Sequence, residues 1–208
     1  MNNPIKAQII SFYKVPLSCH AATDIGCGSR AKPALLEIEK DSSVAEAWIN
    51  RAGTVLAVAW KENDMTKKVA KLTFDKHNIH FQVLNKQESL EHLINFRQIG
   101  KWYRGSDVDQ LSKEEASRIS KTATELFFKK NEINQGEHGK IKKDIKSYFE
   151  AELVKIRTSY ELGIDCQTTF PLAIVEIYAE HIGKERADRL IQKYGMPFGI
   201  NNTMDCCG

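Results

Sequence analysis

The chain has 208 residues, 42% of them apolar and 27% charged, a balance that excludes a disordered polymer and provides for a substantial buried core. Its 30 Lys and Arg against 27 Asp and Glu leave a net charge of +3; spread evenly, this supplies no field for a phosphate backbone, and no nucleic-acid partner is indicated. The most apolar windows, residues 52–60 and 170–179, are far shorter than the roughly 20 residues a bilayer span requires.

The N-terminus, Met1-Asn2-Asn3-Pro4, lacks an apolar signal core, so a cytoplasmic protein without a membrane segment is expected. Cys19, Cys27, Cys166, Cys206 and Cys207 are odd in number. This argues for reduced thiols used in packing, metal ligation or redox chemistry, against a disulfide framework.

In chain order, residues 5–15 mix β-branched, aromatic and alternating polar residues and end at Pro16, which predicts a strand. Residues 17–32 hold two cysteines and several glycines and serines, the composition of a loop. A helix is expected over 33–40, with Pro33 in its first turn. Residues 44–50 and 54–61 flank the turn-like Arg51-Ala52-Gly53 and predict a hairpin. Its second arm is apolar throughout, as in a buried strand. A helix over 65–77 and a strand over 79–84 complete the order βαββαβ, the split-βαβ or ferredoxin-like arrangement.

Beyond residue 85 the periodicity is helical. Helices are expected over 87–98, from Ser112 onward, over 140–160 and over 171–194, with a polar connection at 131–139 and an interhelix loop around Cys166. The pair Ser112 and Glu115 has the spacing of a capping box at a helix start. The expected fold class is α+β, with a ferredoxin-like domain over 1–85 and an all-helical domain over 86–208. Trp102-Tyr103-Arg104-Gly105 reads as the place where the helical part packs on the sheet.

Chemistry gathers between the first strand and the first helix. Cys19 and Cys27 are soft donors that suit Cu(I) or Zn(II), and a glycine-containing loop can bring both to one ion. His20 is a weaker candidate ligand, and Cys206 and Cys207 are candidate auxiliary ligands. Free cysteine also serves as a small buried apolar residue, which is the structural alternative for this pair. Gly26, Gly28 and Ser29 leave backbone N–H groups beside Arg30 at a helix start, the composition of an anion-binding nest. In that setting Cys27 would be an activated thiolate, with Arg30 holding an anionic substrate.

The stretch from Ile25 to Leu84 resembles the heavy-metal-associated domain of copper chaperones and transport ATPases over roughly residues 5–85. A cysteine loop precedes the first helix, a Val-x-x-Ala strand begins at Val44, and a Gly-x-Val strand begins at Gly53. That family's loop holds two cysteines separated by two residues. Here Cys27 takes the first place and Arg30 stands in the second. The resemblance therefore implies two-thiolate copper binding with Cys19, or another thiol, as the second ligand.

The Walker, GxGxxG, serine-elbow and HExxH patterns are absent from the sequence. The expectation is a cytoplasmic thiol-dependent metal-binding protein. The rivals are a Cys27-dependent enzyme and a regulatory protein whose helical part meets a protein partner.

Overall fold

The computed structural model describes residues 9–19, 21–61, 68–156 and 158–197. The chain is mixed α/β, with an antiparallel sheet in its N-terminal part and helices in its C-terminal part. The elements run β1 (Ile9–Lys14), β2 (Ser18–Cys19), β3 (Ala22–Gly26), α1 (Gly28–Ile38), β4 (Val44–Asn50), β5 (Val55–Trp60), α2 (Lys68–Lys76), β6 (Gln82–Val83), α3 (Lys86–Leu93) and β7 (Trp102–Arg104). Then follow α4 (Val108–Lys129), α5 (Gln135–Leu153), α6 (Ser159–Ile164), a π-helical turn Asp165–Thr169, α7 (Phe170–Ile182) and α8 (Lys184–Tyr194).

Five strands form one sheet in the order β6-β1-β5-β4-β7, antiparallel at every pairing. Strand β5 lies in the middle, and all six of its residues are buried. Its side chains divide by parity, as strand geometry requires. Leu56, Val58 and Trp60 join the main core with Tyr13, while Val55 and Ala57 join Phe12 and Trp102 on the opposite face. A strand covered on both faces has no position for a polar residue, which accounts for the unbroken apolar run. The buried hydroxyl of Ser11 on β1 accepts a hydrogen bond from the Trp60 indole N–H (3.1 Å).

The second face is closed by aromatic residues around α3. Phe96 meets Trp102 edge-on at 5.4 Å and Phe12 at 5.7 Å. Trp102 and Tyr103 are buried as part of the edge strand β7, which pairs with β4. The polar-aromatic cluster thus packs against the sheet by joining it. The core is continuous past residue 86: one apolar cluster includes Tyr13, Leu35, Phe127, Ile145 and Leu190.

Several boundaries differ from expectation for identifiable reasons. Helix α1 starts at Gly28, five residues before Pro33, so the proline lies inside it. Helix α4 starts at Val108 after Asp107; Ser112 and Glu115 lie within it and form no capping box. The run 171–194 breaks at Gly183, whose φ of 82° is open to glycine at little strain. Cys166 lies in a helical turn, not a loop, and is buried. Helix α5 begins at Gln135, earlier than expected, because Asn134 and Glu137 form a reciprocal capping box. No helix of the described residues is long and apolar enough to cross a membrane.

Two close backbone approaches hold the β1–α1 connection. A Cβ on Gly28 would lie 2.3 Å from Ser112 Oγ and 2.9 Å from Ser112 N, so α1 and α4 meet there only because residue 28 has no side chain. Gly26 and Gly53 abut in the same way: a Cβ on Gly26 would lie 2.8 Å from Gly53 Cα.

Gly28→Ala is expected to destabilise the fold by about 1–3 kcal/mol through overpacking. Gly139→Ala, in α5 with open space around it, is expected to stabilise it by about 0.5–1 kcal/mol. Denaturant unfolding of the two variants checks both, and an unaltered Gly28→Ala would show that α1 and α4 do not pack at this point.

Candidate functional site

The segment after β1 folds into a small hairpin, not an open loop. Ser18 pairs with Gly26 and Cys19 with Ala22, with a register shift between them, so β3 bulges relative to β2. The Cys27 N–H donates to the Leu17 carbonyl (2.7 Å) and the Gly26 N–H to the Arg51 carbonyl (2.7 Å). These bonds seat Cys27 at the N-terminus of α1, where its backbone is extended and its side chain makes no capping bond.

A carboxylate from another helix occupies that helix start. The Gly28 N–H donates to Glu115 Oε2 at 3.1 Å across 87 residues of sequence. The same carboxyl group is hydrogen-bonded to the thiols of both Cys19 and Cys27. Cys19, Cys27 and Glu115 are 2%, 1% and 2% exposed. Two thiols and one carboxyl group therefore share a site that water barely reaches.

The electrostatics follow from that burial. Desolvation raises the Glu115 pKa to about 7, and the hydrogen bonds from Cys19, the Gly28 N–H and Cys27 oppose the rise. Burial likewise pushes the Cys19 thiol far up, and the neighbouring Glu115 and Cys27 push it further. Removing an anion from water without a counter-charge favours its protonated form. Glu115 and Cys27 thus disfavour ionisation of Cys19, whereas the two thiols, as donors, favour the ionised form of Glu115.

The basic residues of the connection are engaged elsewhere. Arg30 donates to the Pro16 carbonyl (3.1 Å). Lys32 pairs with Asp109 and donates to the Val154 carbonyl at the end of α5. Ser29 Oγ donates to the Leu153 carbonyl (2.9 Å). Ser29 and Lys32 thus satisfy carbonyls at the α5 terminus, which an α-helix leaves without partners. The Gly26 and Gly28 N–H groups are both taken by the protein itself.

The structure brings Cys19 and Cys27 together, as their spacing allows. It adds Glu115, which sequence reasoning placed at a helix start. The signal that was present is a Ser and a Glu three apart with apolar neighbours: Ser112 and Glu115 both face α1, and both are buried. The hydroxyl of Ser112 is buried beside Gly28 without a hydrogen-bond partner. His20, Cys206 and Cys207 lie outside the described residues. Among the described residues no group of three or more His, Cys, Asp and Glu side chains is laid out to hold a metal ion.

The Glu115 carboxyl group makes stability depend on pH. Its folded pKa of about 7 lies above its ordinary 4.5, so the folded chain retains a proton that the unfolded chain releases. That contribution is complete below pH 4.5 and is lost as the pH rises through 7. Relative to Glu115→Gln, the chain is expected to lose about 3 kcal/mol of stability across this window. Parallel pH profiles of the two proteins in urea unfolding would contradict this.

No family model, curated protein or solved structure matches the chain.

Proposed function

We propose that Cys19 and Cys27 bind a soft metal ion as thiolates, and that the chain is a thiol-dependent metal-binding protein of a reducing cytoplasm. The observation that carries this reading is the convergence of two buried thiols on one buried carboxyl group at the end of the β1–α1 connection. Burial and its acidic neighbours keep the Cys19 thiol protonated, and a soft cation replaces the proton that a thiol gives up on ligation.

The donor set indicates the class of ion. A structural Zn(II) site takes four ligands, whereas thiolates select Cu(I), which two of them can hold. Cys19 and Cys27 are the residues that would hold the ion. Bound copper would supply positive charge at the carboxyl-bearing wall of the site. The chain's own contribution is to hold the thiols in a dry place, to align them through Glu115, and to release their protons when the ion enters.

A ferredoxin-like reading of the N-terminal part belongs to this proposal. The strand order β6-β1-β5-β4, with α1 between β1 and β4 and α2 between β5 and β6, supports it. The cysteines then lie between the first strand and the first helix, as in the heavy-metal-associated domains that the sequence resembles. Strand β7 extends the sheet beyond β4. The rival enzyme, with Cys27 as an activated nucleophile and Arg30 as anion holder, is less well supported. Glu115 occupies the Gly28 N–H, and Arg30 is turned to Pro16.

Purified without a metal-binding tag and titrated with Cu(I) under reducing conditions, the chain is expected to bind about one ion. Cys19→Ser and Cys27→Ser should each abolish that site, and Arg30→Ala should retain it. Equal copper content in the native chain and the Cys19→Ser/Cys27→Ser variant, measured by elemental analysis, would refute the reading.

A further inference from the structure

The hairpin over the thiols is fastened unevenly. At its base, backbone bonds tie Gly26 to Arg51 and Cys27 to Leu17, and the Ser18 hydroxyl donates to the Ala52 carbonyl. On its outer side, Asp24 of β3 is joined to Arg118 of α4 by an ion pair of 3.0 Å in which both side chains are exposed. Exposed pairs of this kind are weak and screened by salt. The outer side of the hairpin is therefore held more weakly than its base.

Beneath that covering, two reduced thiols are hydrogen-bonded to one carboxyl group and lie eight residues apart in the chain. Two thiols that share one acceptor are neighbours, and a mixed disulfide on one can be resolved by the other once that thiol is ionised.

We propose that Cys19 and Cys27 form a reversible disulfide by exchange with a small-molecule disulfide such as glutathione disulfide, a modification that removes both thiols from ligand duty. The sulfur of Cys19, once its proton is lost, attacks one sulfur of glutathione disulfide. The glutathione S–S bond breaks, and one glutathione leaves with the proton that Cys19 loses. The sulfur of Cys27 then attacks Cys19 in the mixed disulfide, and the second glutathione leaves with the Cys27 proton. Two protein thiols are oxidised, and one glutathione disulfide becomes two thiols.

The reaction reverses because the bond deprives Glu115 of two donors, and leaving a buried acceptor unsatisfied is unfavourable. A reducing glutathione pool therefore reopens it. The pair is the one assigned to the ion, but its closure does not depend on the ion.

The full chain is equilibrated with a chelator across a series of reduced to oxidised glutathione ratios, quenched with N-ethylmaleimide and digested with trypsin. Cleavage after Lys14 and Arg30 leaves residues 15–30 as one peptide carrying both Cys19 and Cys27 and no other cysteine. As the buffer becomes oxidising, this peptide is expected to lose both alkyl groups and to become lighter by two hydrogen atoms. Dithiothreitol should restore double alkylation. In Cys27→Ser, exchange should stop at a glutathione adduct on Cys19.

Double alkylation at every ratio, persistent glutathione adducts on the native peptide, or no adduct in Cys27→Ser where the native pair closes, would each overturn the proposal. If copper binding survives such a result, only the disulfide falls. If the disulfide forms but copper does not bind, only the ion site falls.

Discussion

A carboxyl group placed where water cannot reach it governs this structure. A buried Glu115 is tolerable only if its oxygens find donors, and the chain supplies the Gly28 N–H and the thiols of Cys19 and Cys27. Each donor constrains its surroundings. Residue 28 must lack a side chain for α4 to come this close. Cys27 must stand at the head of α1, and the β2–β3 hairpin must fold back so that Cys19 faces the same group. One interaction across 87 residues therefore joins the sheet, the first helix and the long helix α4 of the C-terminal part.

The elements that could be read from the sequence are those that local pattern determines. The strand character of β1, from its β-branched and aromatic residues, and the unbroken apolar run of β5 were both legible. The start of α1 was not legible. Its cap is a tertiary one, and Pro33 offered a more conventional local beginning. The same distance in sequence concealed Glu115: three residues after Ser112 it has the form of a capping box, and only the packing of α4 on α1 and β3 turns both residues inward.

The site shows the same division. The cysteines were conspicuous because soft donors separated by a short glycine-containing stretch are uncommon. Their environment was not. Gly26, Gly28, Ser29, Arg30 and Lys32 have the composition of an anion-binding turn, and the helix start does take an acidic group, the protein's own Glu115 carboxyl. Ser29 and Lys32 are committed to the end of α5 and Arg30 to Pro16. Composition identified the kinds of group present, while the partners each group selects depend on an element more than a hundred residues away for Ser29.

Burial gives the thiol pair its chemical character. In water a thiol and a carboxyl group would ionise freely, whereas here desolvation moves both Glu115 and Cys19 toward their protonated forms, and a soft cation or a disulfide bond is the proposed way to displace the thiol protons. The account stands on the protonation of Glu115. Carbon-13 labelling of the glutamate carboxyl groups, with Glu115→Gln to assign the signal, measures it directly. A midpoint near 7 for Glu115 is predicted. A midpoint near its ordinary 4.5 would place the group in water, away from Cys19 and Cys27, and would contradict the account.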